Sequence, residues 1–187
     1  MTVSDKNAFL MKHGEKELLN QYWYSSHTIE HLVQELQASA TSAAFLSTPS
    51  VYFSLPKGSA LRKASWVFDL DDQWASDPHF FKYDFRDPGG IPEHLHHAFD
   101  CVVIDPPFIT REVWELYATA AKLLLVEGGK VLCSTVAENE GVMLELLGAT
   151  PTAFRPSIPH LVYQYKFFAN FVPAILCEKN PEIPEDD

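Results

Sequence analysis

A short motif, Asp105-Pro106-Pro107-Phe108, directly follows the apolar run that begins at Phe99. Two successive prolines stiffen the loop and remove two backbone N–H donors, so the loop mainly accepts hydrogen bonds. Asp105 adds a carboxylate to these carbonyl groups, and Phe108 adds a flat ring that can face a base or the stem of a lysine. This combination favours binding of a substrate amino group. A plain Asp-Pro turn is the alternative interpretation.

Two other acidic residues occupy equivalent positions, each at the end of a predicted strand. Asp69 follows Trp66-Val67-Phe68, and Asp84 follows an aromatic run that ends at Tyr83. The carboxyl ends of parallel strands meet at one edge of a sheet, where open α/β folds bind nucleosides. We therefore expect Asp69, Asp84 and Asp105 to share that edge and to form a nucleoside-cofactor site. The alternative is that Asp ends strands because it favours turns.

The loop after the first predicted strand is Ser47-Thr48-Pro49-Ser50, and it contains no glycine. Backbone that approaches a pyrophosphate closely needs glycines, so a dinucleotide fits this loop poorly. Its hydroxyl groups and the main-chain N–H groups at a helix start could instead hold the carboxylate of an amino-acid-bearing cofactor. The sequence also lacks the phosphate-binding pattern of an ATPase.

The order of apolar segments predicts an α/β fold. Helical spacing in residues 1–40 precedes strands at 43–47, 65–69, 80–84, 101–104 and 130–136, with a final pair at 152–154 and 165–171. Helices are predicted at 111–125, where Gly128 and Gly129 would end the helix, and at 138–147. This order predicts a three-layer, mostly parallel sheet with a C-terminal antiparallel hairpin. We expect a helical extension packed on the core at 1–40, the main domain at 41–176, and an acidic, disordered tail at 177–187.

Composition narrows the function classes. The chain has 187 residues, a formal net charge of −11 and 47% hydrophobic residues, which suffices for one folded domain. No run of Lys or Arg stands out, so free nucleic-acid binding is disfavoured and a basic protein partner is favoured. Without a bilayer-length apolar run or a signal pattern, we expect a cytoplasmic protein with no membrane segment. Three scattered cysteines predict buried reduced thiols and no metal site.

With these motifs in place, the chain resembles the S-adenosylmethionine-dependent amino-methyltransferases of the Rossmann-like class. Within that class it is similar to the family first labelled probable N6-adenine methyltransferase and now known as eukaryotic elongation factor 1A lysine methyltransferase 1. The resemblance covers residues 18–172, and the family also lacks the glycine-rich loop. The stretches that carry it are Gln21-Tyr22-Trp23-Tyr24-Ser25, Thr48-Pro49-Ser50-Val51-Tyr52, Phe68-Asp69-Leu70-Asp71, Tyr83-Asp84, the run from Phe99 to Phe108, and Tyr165-Lys166-Phe167-Phe168-Ala169-Asn170-Phe171.

The resemblance implies that S-adenosylmethionine is the cofactor and that the reaction is methylation of a protein lysine, with elongation factor 1A as the favoured substrate. It implies that Asp69, with Asp71 as second choice, holds the ribose and that the adenine lies near Asp84 and Phe85. The methionine end of the cofactor is expected at residues 47–50.

For the substrate, the resemblance implies that the lysine amine enters beside Asp105 and Phe108, where the Pro106 carbonyl helps to orient it. Trp23 or Tyr24 is expected to close the pocket. Two other functions stay open: N6-methylation of adenine in RNA or DNA, because the same motif can hold an adenine amino group, and a cofactor-binding adaptor without catalysis.

Overall fold

The chain folds around one seven-stranded sheet in a computed structural model that describes residues 7–185. The strands run in the order β3-β2-β1-β4-β5-β7-β6. The first five in this order are parallel, and β7 is antiparallel to both β5 and β6. The predicted mostly parallel sheet with a C-terminal antiparallel pair is therefore confirmed. The strands are β1 (Ala43–Leu46), β2 (Trp66–Asp69), β3 (Phe80–Lys82), β4 (Phe99–Ile104), β5 (Leu125–Val136), β6 (Thr150–Pro151) and β7 (Tyr165–Ala169).

Helices cover both faces of the sheet. The helices are α1 (Ala8–Lys12), α2 (Ser26–Ser39), α3 (Pro49–Tyr52), α4 (Ala60–Ala64), α5 (Arg111–Leu124) and α6 (Glu140–Leu147). Helix α2 packs Leu32 and Leu36 on the face that carries Phe45, whereas α5 packs Trp114 on the face that carries Leu46. Because both faces are covered, the central strands are apolar throughout rather than alternating. Each fully buried leucine contributes about 1.5–3 kcal/mol to this packing.

The structure corrects the predicted limits of two strands. Helix α5 ends at Leu124, close to its predicted end, but β5 already begins at Leu125, so the glycines that were expected to end the helix lie within β5. Gly128 has a φ of +71°, and the two glycines lie where the pairing of β4 with β5 shifts register. A Cβ at Gly129 would come within 2.7 Å of a Leu125 methyl carbon. The expected strand at 152–154 is wrong, because the pairing with β7 is made by Thr150 and Pro151.

Residues 174–182 pack against helix α2 and the residue before it. Glu35 of α2 accepts hydrogen bonds from the backbone of residues 174–176, and Glu182 accepts one from Ser25. Asn180 is buried. The division at residues 40 and 176 stays a prediction, and the parts of it that fall on residues 1–6 and 186–187 lie outside the described residues. Cys101 and Cys133 are buried as predicted, but Cys177 is exposed.

Within residues 7–185, no helix is both long and apolar enough to cross a membrane.

Candidate functional site

A cavity of about 450 Å³ opens at the carboxyl edge of the sheet. The strand order reverses between β1 and β4, and open α/β sheets bind their ligands at such a point. Residues that follow β1, β2 and β4 line the cavity, and residues 18–23 of the N-terminal segment form another wall. Of the predicted site residues, the lining includes Trp23, Ser47, Pro49, Asp69, Phe85, Asp105, Pro106, Pro107 and Phe108.

Asp105 forms part of the cavity wall next to a buried pair of hydroxyl groups. Because Ile104 pairs with Cys133 in the adjacent strand, Ser134 lies beside Asp105. The Ser134 hydroxyl donates to Asp105 Oδ1 at 3.0 Å, and the Tyr24 hydroxyl lies 2.6 Å from Ser134 Oγ. Because the Ser134 hydroxyl donates its single proton to Asp105, the Tyr24 hydroxyl must be the donor to Ser134. Tyr24 is therefore buried behind Asp105 and does not line the cavity.

The pKa of Asp105 is raised to about 7. Burial is the main cause, because it penalises the charged carboxylate, and the hydrogen bond from Ser134 and the nearby Tyr24 hydroxyl offset part of this effect. A carboxyl group with such a pKa in a cavity changes its charge near neutral pH, which is typical of functional sites.

The residues after Asp105 differ in their contacts and in their exposure. The Pro107 carbonyl accepts a hydrogen bond from the Asn20 side chain, which ties the N-terminal segment to the motif. Asn20 has a φ of 52°, a left-handed conformation that asparagine tolerates. Pro106 is buried, whereas the Phe108 ring is 53% exposed and meets the Phe85 ring edge-on. Phe108 therefore lies at the mouth of the cavity.

The two acids at the end of β2, Asp69 and Asp71, have different partners. Asp69 lines the cavity, and its Oδ1 accepts the backbone N–H of Asp71 at 2.8 Å. Burial raises the pKa of Asp69 to about 7, and the neighbouring charge of Asp71 adds to the increase. The Asp71 carboxylate is outside the lining and accepts hydrogen bonds from Lys16 and Gln21 at 2.9 Å each. Asp71 thus holds the N-terminal segment, and Asp69 alone of the two faces the cavity.

The structure does not bring Asp84 into the cavity. Its carboxylate pairs with the Arg86 guanidinium at 2.6 Å, and these hydrogen bonds lower the pKa of Asp84 to about 2. The neighbours Tyr83 and Phe85 line the cavity instead, and the Phe85 ring stacks on Tyr117 with 5.7 Å between centroids. Aromatic faces, rather than a third carboxylate, occupy this part of the edge.

The loop after β1 contributes two of its four predicted residues to the lining. Ser47 has a φ of 58°, and its hydroxyl lies 2.7 Å from that of Tyr117. Thr48 and Ser50 are buried, and Thr48 Oγ1 donates to the Val103 carbonyl. Only Ser47 and Pro49 of this loop line the cavity, and helix α3 that follows has four residues.

Sequence reasoning missed Ser134, Asn20 and Tyr117 as site residues. Ser134 carried a signal, because it is the first polar residue after the apolar run Val131-Leu132-Cys133 of the predicted strand 130–136. Tyr117 looked like any other apolar position of its helix. Asn20 contacts the motif across 87 positions of the chain, and such a contact has no local pattern.

The charge of the cavity is one-sided. Its described lining contains two carboxylates, Asp69 and Asp105, but no Lys, Arg or His. No group of three or more side chains within residues 7–185 is suited to hold a metal ion. Such a cavity attracts a cationic or N–H-bearing ligand.

Comparison with known proteins gives the family. A family model described as probable N6-adenine methyltransferase matches residues 15–173. EEF1A lysine methyltransferase 1 of Bos taurus is 31% identical over 172 residues, which cover 89% of this chain and 75% of that protein.

Two solved structures share the fold. The branched-chain polyamine synthase of Thermus thermophilus has a TM-score of 0.62 at 14% identity, covering 90% of this chain and 62% of that one. The 1,6-didemethyltoxoflavin-N1-methyltransferase of Burkholderia thailandensis, which holds S-adenosylhomocysteine, has a TM-score of 0.52 at 11% identity and covers 76% of each chain. The predicted Rossmann-like fold is thereby confirmed.

Proposed function

Since this chain belongs to the family described as probable N6-adenine methyltransferase, we propose that it is an S-adenosylmethionine-dependent methyltransferase of protein lysine. Elongation factor 1A is the proposed substrate, because the relative named for that activity is 31% identical over most of the chain. A cytoplasmic location is part of the same proposal, since the substrate is a translation factor.

The main support for the proposal is the place of the Asp105 carboxylate in the cavity wall. Within residues 7–185, no Lys, Arg or His lines this cavity. The carboxylate and the Pro106 carbonyl accept N–H protons of the incoming amine, so the nitrogen lone pair is directed away from them. The Phe108 ring packs on the lysine stem. These groups act by proximity and orientation, which is sufficient for a reactive methyl donor.

The proposed cofactor residues follow from their place in the lining. S-adenosylmethionine, when bound, supplies a methyl group activated by a sulfonium. Asp69 accepts hydrogen bonds from the ribose hydroxyls, and Phe85 with Tyr83 provides apolar faces for the adenine. Ser47 lies where the methionine end is proposed. These groups fit the donor, because its hydroxyl groups need an acceptor and its base needs flat apolar contacts.

Asp105 also governs the proton balance. The charged carboxylate raises the pKa of a nearby lysine, whereas the aromatic surroundings lower it by desolvation. A lysine ammonium must release a proton to water before its nitrogen attacks a methyl group and the bond from that methyl to sulfur breaks. Asp105 then accepts hydrogen bonds from the N–H protons that remain on the neutral amine. Ser134 and Tyr24 hold the carboxylate in place for this task.

Methylation of adenine at N6 is the second candidate. The exposed ring of Phe108 favours it, because the ring can stack on a base. The charge of the cavity opposes it, since nucleic-acid sites pair phosphates with Lys or Arg. The net charge of −11 opposes it as well.

The test is to incubate the protein with methyl-labelled S-adenosylmethionine and a cell extract, and then to count label in the protein and nucleic-acid fractions. We expect label in protein, at the mobility of elongation factor 1A. Label in nucleic acid that is released as methylated adenine would overturn the proposal. Calorimetric binding of S-adenosylmethionine without any labelling would identify a non-catalytic adaptor.

A further inference from the structure

Four large apolar side chains at the mouth of the cavity are exposed. They come from four separate parts of the chain: Leu18 is 100% exposed, Tyr163 67%, Phe108 53% and Leu70 44%. All four also line the cavity. We call this set the apolar rim.

Single exposed apolar residues are ordinary on protein surfaces, but a set that converges on one opening marks an interaction site. The fold holds at least two members of the apolar rim next to the site. Leu70 follows Asp69 at the end of β2, and Leu18 belongs to the segment that Lys16 and Asn20 tie to the site. These two side chains therefore lie close to Asp69 and to the motif that begins at Asp105.

The charge of the cavity indicates which kind of substrate contacts the apolar rim. The Asp105 carboxylate faces a lining to which residues 7–185 contribute no Lys, Arg or His, so a positively charged side chain is drawn inward. A lysine has a flexible four-carbon stem, and when its amine reaches Asp105 its backbone stays near the mouth. The residues next to that lysine must then meet the apolar rim.

We propose that the apolar rim is the docking surface for a protein segment in which apolar residues flank the target lysine. This inference rests on the proposed function and adds a rule of substrate selection to it. Burial of rim side chains against these flanking residues supplies affinity, while the carboxylate inside the cavity selects the lysine. Exposed apolar anchors around a specific pocket commonly act in this way.

The test compares two double variants of the intact protein in steady-state methylation of purified elongation factor 1A. Leu18→Ser with Tyr163→Ser removes two rim residues outside the catalytic motif. Met11→Ser with Val172→Ser is the matched control, because these residues are 70% and 94% exposed and do not line the cavity. Since all four side chains are exposed, little change in folding is expected.

We expect the rim variant to raise KM for elongation factor 1A about tenfold or more, with a smaller change in kcat. The control stays close to wild type, and the affinity of both variants for S-adenosylhomocysteine, measured by calorimetry, equals that of wild type. This pattern supports docking on the rim.

Failure of this inference is distinguishable from failure of the proposed function. If wild type methylates elongation factor 1A but the rim variant has an unchanged KM, the apolar rim is not a docking surface, although the activity stands. A rim variant that loses affinity for S-adenosylhomocysteine likewise overturns the docking role, because the residues then support the cofactor. If wild type labels only RNA or DNA, both proposals are wrong.

Discussion

Glu35 and Asp105 are two carboxylates that are largely removed from solvent, and they differ in the hydrogen-bond donors that surround them. Glu35 accepts hydrogen bonds from the Ser39 hydroxyl and from the backbone N–H groups of Ala174, Ile175 and Leu176. Burial alone would raise the pKa of Glu35, but these hydrogen bonds outweigh it and lower the pKa. The charge of Glu35 is therefore fixed, and it holds the C-terminal segment on α2.

For Asp105 the balance is reversed. Burial prevails over the two hydroxyl groups and raises its pKa to about 7. Backbone donors cannot rotate, whereas hydroxyl donors can, and the Asp105 carboxylate also faces a cavity. The comparison shows that burial by itself does not decide the pKa of a carboxyl group. The pKa of Asp105 is raised because its carboxylate lacks the backbone donors that Glu35 has, and the raised pKa occurs where a ligand can reach the group.

The largest expected effect is on catalysis. Asp105→Asn keeps the shape but places an amide donor where the amine needs an acceptor, so methyl transfer should fall by about 100-fold or more. The rate is measured with labelled S-adenosylmethionine and elongation factor 1A. Asp100→Asn, at the opposite end of β4, is the control and should keep its activity per folded molecule. Full activity of Asp105→Asn would end the role given to Asp105.

The next effect is on stability. Glu35→Gln places an amide nitrogen against backbone N–H groups, and the free energy of unfolding should fall by about 3 kcal/mol. Urea unfolding measures this loss, and the activity per folded molecule should not change. The control is Glu30→Gln on the exposed side of the same helix, which should change the stability by less than about 0.5 kcal/mol. Equal losses in the two variants would contradict the structural role of Glu35.

The pH dependence of stability should separate the two carboxylates further. The pKa of Asp105 is above its ordinary value of 3.8, so the folded state binds more protons than the unfolded state up to about pH 7. The ionised carboxylate therefore destabilises the fold increasingly as the pH rises. Asp105→Asn lacks this cost, and its stability relative to wild type should rise by up to about 1.4 kcal/mol per pH unit between about pH 5 and about pH 7.

For Glu35 the sign is opposite. Its lowered pKa contributes stability above the ordinary value of 4.5, and this contribution disappears as the pH falls through the folded-state value. The deficit of Glu35→Gln should therefore shrink in acid. Urea titrations at several pH values measure both trends, and parallel curves for the two variants would refute the assignment of opposite shifts.

The smallest expected effect concerns the hydroxyl pair. Ser134→Ala removes a hydrogen bond that lowers the pKa of Asp105. The midpoint of the acid limb of the pH–activity profile should therefore shift by about one pH unit to higher pH. Activity at neutral pH then falls a few-fold and recovers at higher pH. The control is Thr135→Val, which removes the next buried hydroxyl of β5 and should not shift the acid limb of the profile. A rate lowered equally at every pH would show that Ser134 has only a packing role.

Local patterns predicted much of this molecule. Apolar runs predicted the places of the parallel strands, and an acid at the end of a strand predicted that Asp69 and Asp105 lie at the edge that carries the cavity. The same pattern did not indicate that Asp84 pairs with Arg86 and lies outside the cavity lining.

Contacts between distant segments were beyond local patterns. The position of Tyr24 behind Asp105 depends on its contact with Ser134 across 110 positions of the chain, and the hydrogen bond from Asn20 to Pro107 depends on the path of the N-terminal segment. The role of Gly128 and Gly129 was assigned wrongly, because these glycines serve the shifted pairing of two strands rather than the end of α5. Such features follow from tertiary packing, which a one-dimensional pattern does not contain.

The most direct measurement is mass spectrometry of purified elongation factor 1A after incubation with S-adenosylmethionine and either wild type or Asp105→Asn. The account predicts a methylated lysine with wild type and an unmodified protein with the variant, while both enzymes bind S-adenosylhomocysteine. A methylated lysine formed equally by the variant, or no lysine methylation by a wild type that methylates adenine in RNA, would contradict it.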